Sequence, residues 1–243
     1  MSRVIAFCQK NSIDFQDLSY MQSALTHSTY AYEHSKWVGH DNERLEFLGD
    51  AVLQLSISEA LFCLAEEIDE GKMTKYRSLV VCEDTLAQVA RDIGLGDYLY
   101  LGKGEELTGG RTKPSNLSNA LEAVYGAIYL DQGFAYVKNL IIKQLHPYID
   151  LAVSGKLVYD FKSRLLEMVQ ACKDSSGVSF TIVDESGPVH ERIFTAAVIL
   201  DEKELTTGRG TSKKEAEQNA ARAALEILSY DSKGCLHVRK TEG

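Results

Sequence analysis

The sequence predicts two domains of different fold class, an all-α domain followed by a small α+β domain. Up to about Tyr148, apolar residues recur mostly at helical spacing, whereas alternating, strand-like patterns begin near Ser179. The length of 243 residues also suits two modest domains. We therefore place the first domain at residues 1–150, a linker at 151–158, the second domain at 159–230 and a polar tail at 231–243.

In the first domain, apolar stripes of helical period predict six to eight helices and no strand. Glycine-rich stretches near positions 94–96 and 102–110 separate several of these stripes. The stripes expected to face the core include Leu45, Leu48 and Val52, then Leu86, Val89 and Ala90, and then Leu121, Val124, Ala127 and Ile128.

In the second domain, the hydrophobic period changes from helix to strand and back. Apolar spacing predicts a helix from Phe161 to about Cys172. Strands are predicted at Ser179–Val183, at Ile193–Leu200 and, more briefly, at Glu204–Thr207. A last helix from Lys213 to about Leu228 completes the order α-β-β-β-α, which is typical of a two-layer α+β unit.

The overall charge is unfavourable for a nucleic-acid-binding protein. There are 26 Lys+Arg against 35 Asp+Glu, a net charge of −9. Residues 1–156 carry −7 and residues 157–243 carry −2. Because neither part is basic, any surface that binds nucleic acid must be a local patch.

The cysteines and the hydropathy pattern indicate a reducing, aqueous compartment. The five cysteines are scattered without C-x-x-C spacing, so neither a disulfide framework nor a zinc site is predicted. No uninterrupted apolar run approaches the ~20 residues of a membrane span, and the N-terminus has no signal-peptide pattern. We expect a cytoplasmic protein that does not bind a membrane.

The strongest chemical signal is an acidic helix face in NERLEFLGDAVL, residues 42–53. Glu43, Glu46 and Asp50 lie at i, i+3 and i+7 and therefore share one face. Like charges stacked in this way repel one another, and no lysine on that face compensates them. Oxygen-only clusters suit a hard cation such as Mg²⁺. The alternative is that the three carboxylates are simply solvated.

A second acidic segment lies in LSNALEAVYGAIYLDQG, residues 117–133. Asn119 and Glu122 are about one turn apart on a helix apolar enough to be largely buried. A buried carboxylate needs a partner or a metal, so we expect Glu122 to face Glu46 and Asp50 across a helix pair. Glu70 is a further, weaker candidate.

Candidate anion contacts come from a loop and a helix N-terminus. The loop Leu101–Lys113 matches no nucleotide-binding pattern, and its Arg111 and Lys113 would either meet phosphate or be solvated. Ser212 is predicted to cap the last helix, which places Lys213 and Lys214 at the positive end of its dipole. A bound phosphate would make that placement favourable; the alternative is two exposed lysines that tolerate it. His190 is isolated, and a lone histidine is more often structural than functional.

Taken together, these segments resemble a bacterial ribonuclease III. HDNERLEFLGDAVL, residues 40–53, resembles the signature of that family almost residue for residue. LSNALEAVYGAIYLDQGF resembles its second acidic segment, and the α-β-β-β-α unit with GPVH and GRGTSKKEAEQNAA resembles its double-stranded-RNA-binding domain. The resemblance covers nearly the whole chain in the family's order.

The resemblance implies an all-α ribonuclease III nuclease domain followed by an α+β double-stranded-RNA-binding domain, in a homodimer. It implies Mg²⁺-dependent hydrolysis of double-stranded RNA, with Mn²⁺ as a substitute metal. The products would carry 5′-phosphates and short 3′ overhangs, and the substrates would include precursors of ribosomal RNA, some messenger RNAs and transfer RNA. Recognition of duplex RNA by shape implies weak sequence preference.

The resemblance also assigns roles to residues of this sequence. The metal site would comprise Glu46, Asp50, Asn119 and Glu122, with Asp50 and Glu122 as the central catalytic acids. Glu43 and Glu70 would be additional acids beside the scissile strand, and Phe47 would pack into the partner subunit. The residues expected to contact RNA are Lys213, Lys214, Ser212, His190 and Glu167, together with Arg111 and Lys113 from the loop.

Two positions depart from the family's pattern. Asn119 stands where most members carry Asp, so one negative charge is lost and weaker Mg²⁺ binding is expected. Leu166 occupies a position where glutamine commonly contacts RNA. Asn119 leaves open a second reading, a catalytically impaired dimer that binds double-stranded RNA without cutting it.

Overall fold

A computed structural model describes residues 3–34, 39–64, 68–157, 160–172, 177–188, 192–230 and 236–238. The chain separates into two compact units, Met1–Leu157 and Val158–Gly243. The two predicted fold classes are confirmed, the first unit being helical and the second containing a three-stranded sheet flanked by helices.

The described part of the first unit contains nine α-helices and a short 3-10 helix, Leu95–Tyr98. The prediction of six to eight helices was therefore low, because three helices have only five to seven residues and are too short to show a period. The α-helices are α1 (Arg3–Lys10), α2 (Leu18–Ala24), α3 (Ser28–Glu33), α4 (Glu43–Leu64), α5 (Glu70–Val80), α6 (Glu83–Asp92), α7 (Lys103–Leu107), α8 (Pro114–Gln132) and α9 (Phe134–Val153).

Side-chain caps explain where several helices begin. Asp17 accepts a hydrogen bond from the Ser19 N–H at the start of α2, and Asp69 accepts one from the Lys72 N–H at the start of α5. Pro114 occupies the first turn of α8, where its missing N–H costs nothing. These local signals set the starts of α2, α5 and α8, of which α5 carries Glu70 and α8 carries Glu122.

The centre of the first unit is the crossing of α4 and α8. Almost the whole length of α8 from Asn116 to Ile128 is buried. A Cβ placed on Gly49 of α4 would overlap the backbone carbonyl of Glu122, and a Cβ placed on Gly126 of α8 would overlap the carbonyl of Leu45. The two glycines therefore let the helix backbones touch directly.

Helix α4 also has the length and mean hydropathy of a membrane span, 22 residues and 1.5. It lacks an uninterrupted apolar run, because Glu43, Glu46, Asp50 and Glu59 break the pattern. A single helix of this kind is weak support for a membrane, since the core helix of a soluble protein has the same composition. Here α4 packs against α5, α8 and α9.

The second unit has the predicted order α-β-β-β-α. Its elements are α10 (Phe161–Gln170), β1 (Val178–Ser186), β2 (Ile193–Leu200), β3 (Lys203–Gly210) and α11 (Lys213–Ile227). The strands form one antiparallel sheet in the order β1-β2-β3. Both helices cover the same face of the sheet, with a core built from Leu165, Val169, Ala196, Val198, Ala216, Ala220, Ala221, Ala224 and Leu228.

The last elements of both units end at other residues than the domain boundaries predicted from the sequence. Helix α9 continues to Val153, so residues 151–153 are helical rather than part of the linker. Helix α11 ends at Ile227, and β4 (Leu228–Tyr230) pairs in antiparallel fashion with β5 (Leu236–Val238). Residues 236–238 of the predicted polar tail thus form β5, since backbone pairing does not require an apolar run.

The helix crossing makes a direct prediction for stability. Gly126→Ala should destabilise the protein by at least about 3 kcal/mol, the upper end of the cost of overpacking, because the clash is with backbone that cannot rotate away. Urea denaturation followed by circular dichroism measures this.

The matched control is Gly104→Ala in α7, where a Cβ meets no atom within 4 Å. This variant should be neutral or up to about 1 kcal/mol more stable, because alanine favours helix over glycine. Equal stability of the two variants would contradict the proposed backbone contact.

Candidate functional site

The α4–α8 crossing brings together the four residues of the predicted metal site. Glu46 and Asp50 flank Gly49 on α4, and Asn119 and Glu122 lie on the stretch of α8 that Gly49 contacts. The charges of Glu46 and Asp50 both act on Glu122. The expectation that Glu122 faces these two acids across a helix pair therefore matches the structure.

Glu122 is the least solvated member of this acidic group. Burial, followed by repulsion from Asp50 and Glu46, raises the pKa of the Glu122 carboxyl to about 8, from its ordinary value near 4.5. Within the described residues, no hydrogen bond or ion pair reaches this carboxyl. At neutral pH it therefore holds a proton until a cation compensates its charge.

Asn119 is hydrogen-bonded within the group. Its side-chain amide donates a hydrogen bond to Glu46, and its Oδ1 accepts one from the Ser118 hydroxyl at 3.3 Å. The pKa of Glu46 is raised by burial and by the charges of Glu43 and Asp50, and the Asn119 hydrogen bond opposes that rise. Asn119 thus supplies the only side-chain amide among the four residues.

The donor types fit a hard divalent cation. All the side-chain ligands on offer are oxygens, and three of them are carboxyl groups with no lysine or arginine paired to them in the described part of the chain. No three His, Cys, Asp or Glu side chains among the described residues are already arranged to hold an ion. A cation would therefore have to draw these carboxylates together.

The two auxiliary acids lie in different places. Glu43 is exposed at the first turn of α4, one turn before Glu46, and its charge acts on Glu46. Glu70 begins α5 and lines a separate cavity of about 270 Å³ with Ser58 and Arg77. Within one chain, the structure does not bring Glu70 to the acidic group.

The loop before α8 corrects one predicted RNA contact. Arg111 forks onto Glu106 through Nε and Nη2, the latter at 2.6 Å, and its Nη1 donates to the carbonyls of Gly96 and Leu99 at 2.9 and 3.0 Å. Since these bonds use three of its nitrogens internally, Arg111 holds the loop and is not a free phosphate ligand. Lys113 remains exposed, with a 3.4 Å contact to Glu105.

The N-terminus of α11 has the predicted cap. The Ser212 hydroxyl accepts a hydrogen bond from the Glu215 N–H at 3.2 Å. Glu215 in turn accepts from the N–H of Thr211 at 2.7 Å, one residue before the position that a capping box uses. Lys213 and Lys214 are exposed in the first turn, next to unpaired N–H groups of the helix.

The other predicted RNA contacts are partly described. Glu167 is exposed on α10 and lies 3.6 Å from Arg164, while Leu166 beside it is half-buried. His190 lies outside the described residues.

Phe47 is one of the most exposed apolar side chains, with 82% of its surface accessible. It borders an open concavity of about 710 Å³ that has a mainly apolar floor. The remaining lining residues are Tyr20, Ser23, His40, Asp41, Glu43, Arg44, Leu45, Leu48 and Leu130. An apolar ring beside an apolar concavity is typical of a protein–protein contact.

Sequence reasoning missed the residues that position the site. Gly49 and Gly126 create the helix crossing, and their signal was present, since glycine in the middle of a helix is unfavourable without a packing reason. Glu185, which pairs with Lys213 at 3.1 Å, gave no pattern in the sequence because the two residues meet only in the folded sheet.

Comparison with known proteins agrees with this geometry. Residues 17–149 match the family model described as Ribonuclease-III-like, and residues 161–228 match the double-stranded RNA binding motif. The chain is 49% identical to Ribonuclease 3 of Syntrophomonas wolfei over 90% of this chain and 93% of that protein. It is 47% identical to Ribonuclease 3 of Geobacillus thermodenitrificans over 90% and 89%.

Solved structures lead to the same family. A crystal structure of the nuclease domain of ribonuclease III from Campylobacter jejuni is 37% identical, covers 60% of this chain and 96% of that chain, and has a TM-score of 0.55. A second structure of that domain, concerned with the region involved in its dimer formation, is 38% identical, covers 58% and 95%, and has a TM-score of 0.54. The acidic helix pair, the RNA-binding unit and these relatives together show that the chain belongs to the ribonuclease III family of double-stranded-RNA endonucleases.

Proposed function

We propose that this endoribonuclease hydrolyses double-stranded RNA with Mg²⁺, Mn²⁺ serving as a substitute, and leaves 5′-phosphates with short 3′ overhangs. The observation that carries the proposal is the uncompensated acidic group at the α4–α8 crossing. Glu46, Asp50, Asn119 and Glu122 offer the oxygen ligands that Mg²⁺ prefers, and the family is generally metal-dependent.

The chain's own residues have distinct parts in this reaction. Asp50 and Glu122 are the central metal ligands, and Glu122 must first give up its proton. Asn119 contributes its amide oxygen and keeps Glu46 oriented by hydrogen bonding. When bound, Mg²⁺ would supply an activated water and neutralise the charge that develops on the phosphate. The proposal needs neither a histidine base nor a serine nucleophile.

We propose that the active form is a homodimer. Phe47 is exposed beside a concavity of matching apolar character, so a two-fold arrangement would let each copy insert its ring into the other. Burial of this face would also cover apolar surface of the concavity that is otherwise exposed to water, including Leu130. Glu70, which lies apart from the acidic group of its own chain, would serve a site formed with the second copy.

RNA binding is assigned to the second unit, whose motif supports it. In this proposal Lys213, Lys214 and the capped N-terminus at Ser212 contact phosphates, and Glu167 and His190 meet the minor grooves. Lys113 is a further candidate from the nuclease domain. The proposed substrates are precursors of ribosomal RNA, some messenger RNAs and transfer RNA, in the cytoplasm.

A second candidate function is favoured by Asn119 alone. With an amide in place of a fourth carboxylate, the protein would bind double-stranded RNA as a dimer without cutting it. Glu46, Asp50 and Glu122 remain, and the amide oxygen is still a possible ligand, so the catalytic reading has more support.

The main test is cleavage of a perfect 40-base-pair RNA duplex while Mg²⁺ is titrated. We expect metal-dependent cleavage by the native protein and a loss of rate of at least about 10²- to 10³-fold in Glu122→Gln, because a group that stabilises the transition state is removed. Duplex binding, measured by gel shift without metal, should be retained in the variant. The matched control is Glu83→Gln on the exposed start of α6, which should cut normally. Binding without cleavage by the native protein at every Mg²⁺ concentration would favour the second candidate.

Asn119→Asp should lower the Mg²⁺ concentration required for cleavage by about tenfold, the effect typical of changing one oxygen partner in a metal site. The same change removes the hydrogen bond to Glu46 and adds a carboxylate, so the metal-free protein should melt at a lower temperature. Mg²⁺ titration and thermal melting in EDTA measure the two effects. Asn139→Asp, exposed on α9, controls for charge. An unchanged Mg²⁺ requirement would place Asn119 away from the metal.

Metal binding should depend on pH through Glu122. Its folded pKa of about 8 lies above its ordinary value near 4.5, so this group's contribution to stability is full below pH 4.5 and is lost as the pH rises towards 8. Mg²⁺ must displace the proton, so its apparent affinity should rise by up to about tenfold per pH unit and level off above pH 8. Calorimetry at pH 6, 7 and 8 in buffers of different ionisation enthalpy measures the proton release. Glu122→Gln should abolish it; release that persists in this variant would assign the proton elsewhere.

A further inference from the structure

Lys213, the first helical residue of α11, already has an acidic partner. Its Nζ lies 3.1 Å from Oε1 of Glu185 on β1. The other oxygen of the same carboxylate, Oε2, lies 3.5 Å from Nη1 of Arg192, the residue just before β2. One carboxylate therefore neutralises part of the charge of two cations at the helix N-terminus.

A β-bulge in β1 turns the side chain of Glu185 towards Lys213 and Arg192. Val178, Phe180 and Ile182 alternate towards the helix-covered face, which would put Glu185 on the opposite face. The register shifts between Ile182 and Asp184, and this bulge reverses the alternation. Glu185 consequently pairs with Phe194 on the side of the sheet that α11 covers.

The same row of the sheet leads directly to Lys213. Phe194 pairs with Glu185 on one side and with Gly210 on the other, and Gly210 packs against the first turn of α11. The Lys213 Nζ lies 5.7 Å from the centre of the Phe194 ring. The ion pair between Glu185 and Lys213 thus crosses the end of the sheet beside the Phe194 ring, which lies on the central strand β2.

The ion pair is accessible to a competing anion. The side chains of Glu185 and Lys213 are 39% and 61% exposed, and that of Arg192 is 44% exposed. A phosphate that approaches Lys213 would meet both the favourable helix N-terminus and the unfavourable carboxylate. Its binding would therefore require exchange of Glu185 for phosphate on the lysine.

We propose that Glu185 is an internal competitor of RNA phosphate that limits the affinity of the second unit for duplex RNA. The proposal rests on the proposed phosphate contact of Lys213. In the RNA-free protein Glu185 holds Lys213 and Arg192. In the complex the phosphate takes Lys213, and Glu185 takes up a solution cation in its place.

This exchange has a measurable electrostatic consequence. Binding of a phosphate to a free lysine releases a condensed counterion from RNA, which gives about one unit of slope in log K against log[salt]. When Glu185 is displaced from Lys213, it takes up a cation from solution, and this uptake cancels the release of one counterion from the RNA. An exposed ion pair of this kind also changes an equilibrium constant by about fivefold at most.

The test is Glu185→Gln in the full chain, with binding of a fluorescent 30-base-pair RNA duplex measured by anisotropy in EDTA so that no cleavage occurs. At low salt, near 50 mM, binding should tighten by about three- to fivefold. The salt slope should become steeper by about one unit, so that the two proteins converge in affinity at high salt.

The matched control is Glu226→Gln. Glu226 is also exposed and also paired with an arginine, Arg222 at 3.5 Å, but it lies 13 residues further along α11. That distance is roughly 20 Å along the helix, beyond the screening length at physiological salt. Glu226→Gln removes the same charge as Glu185→Gln. It should leave both the affinity for the duplex and the slope of log K against log[salt] unchanged.

Three outcomes would overturn the proposal. Glu185→Gln that behaves like Glu226→Gln would show that no competition occurs. Glu185→Gln that weakens binding would show that Glu185 positions Lys213 for RNA rather than competing with it. Lys213→Ala with unchanged affinity and slope would remove the phosphate contact itself, and with it the assignment on which the proposal rests. In the first case, weaker binding by Lys213→Ala would show that the phosphate contact is present and that only the competition is overturned.

Discussion

The direct backbone contact between α4 and α8 is the constraint on which the nuclease unit depends. Gly49 and Gly126 each leave room for a carbonyl of the facing helix, so the two helices cross with no side chain between them. That proximity is what turns two separate acidic stretches into one group, with Glu46 and Asp50 on one helix and Asn119 and Glu122 on the other. A larger residue at either glycine would separate the ligands as well as the helices.

Opposite electrostatic situations occur in the two units. In the nuclease unit the acids lack a counter-charge, and the pKa of Glu122 rises because burial and its neighbours disfavour the anion. In the second unit Lys213, at the start of α11, is already paired with Glu185. The net charge of −9 therefore coexists with double-stranded-RNA binding. One unit carries acids that lack a counter-charge, and the other exposes a few basic side chains, one of which is paired with a carboxylate of the same unit.

Asn119 is better explained by the structure than by the family's pattern alone. The substitution removes one carboxylate from a group whose members repel one another, and it adds an amide donor that is bonded to Glu46. An amide at this position therefore favours the metal-free fold, whereas a carboxylate would favour the cation.

The sequence by itself determined the helix and strand periods, the cap at Ser212, and the acids of α4, because these depend on neighbours within about one turn or one strand. It also carried the family resemblance, since long motifs are read locally. Only the tertiary structure decided that Arg111 is hydrogen-bonded to Glu106 and two backbone carbonyls, and that Glu70 lies apart from the acidic group at the α4–α8 crossing. It also decided that a bulge turns Glu185 towards Lys213. These outcomes depend on contacts between residues 5 to 28 positions apart and on a one-residue shift of register, which no local pattern encodes.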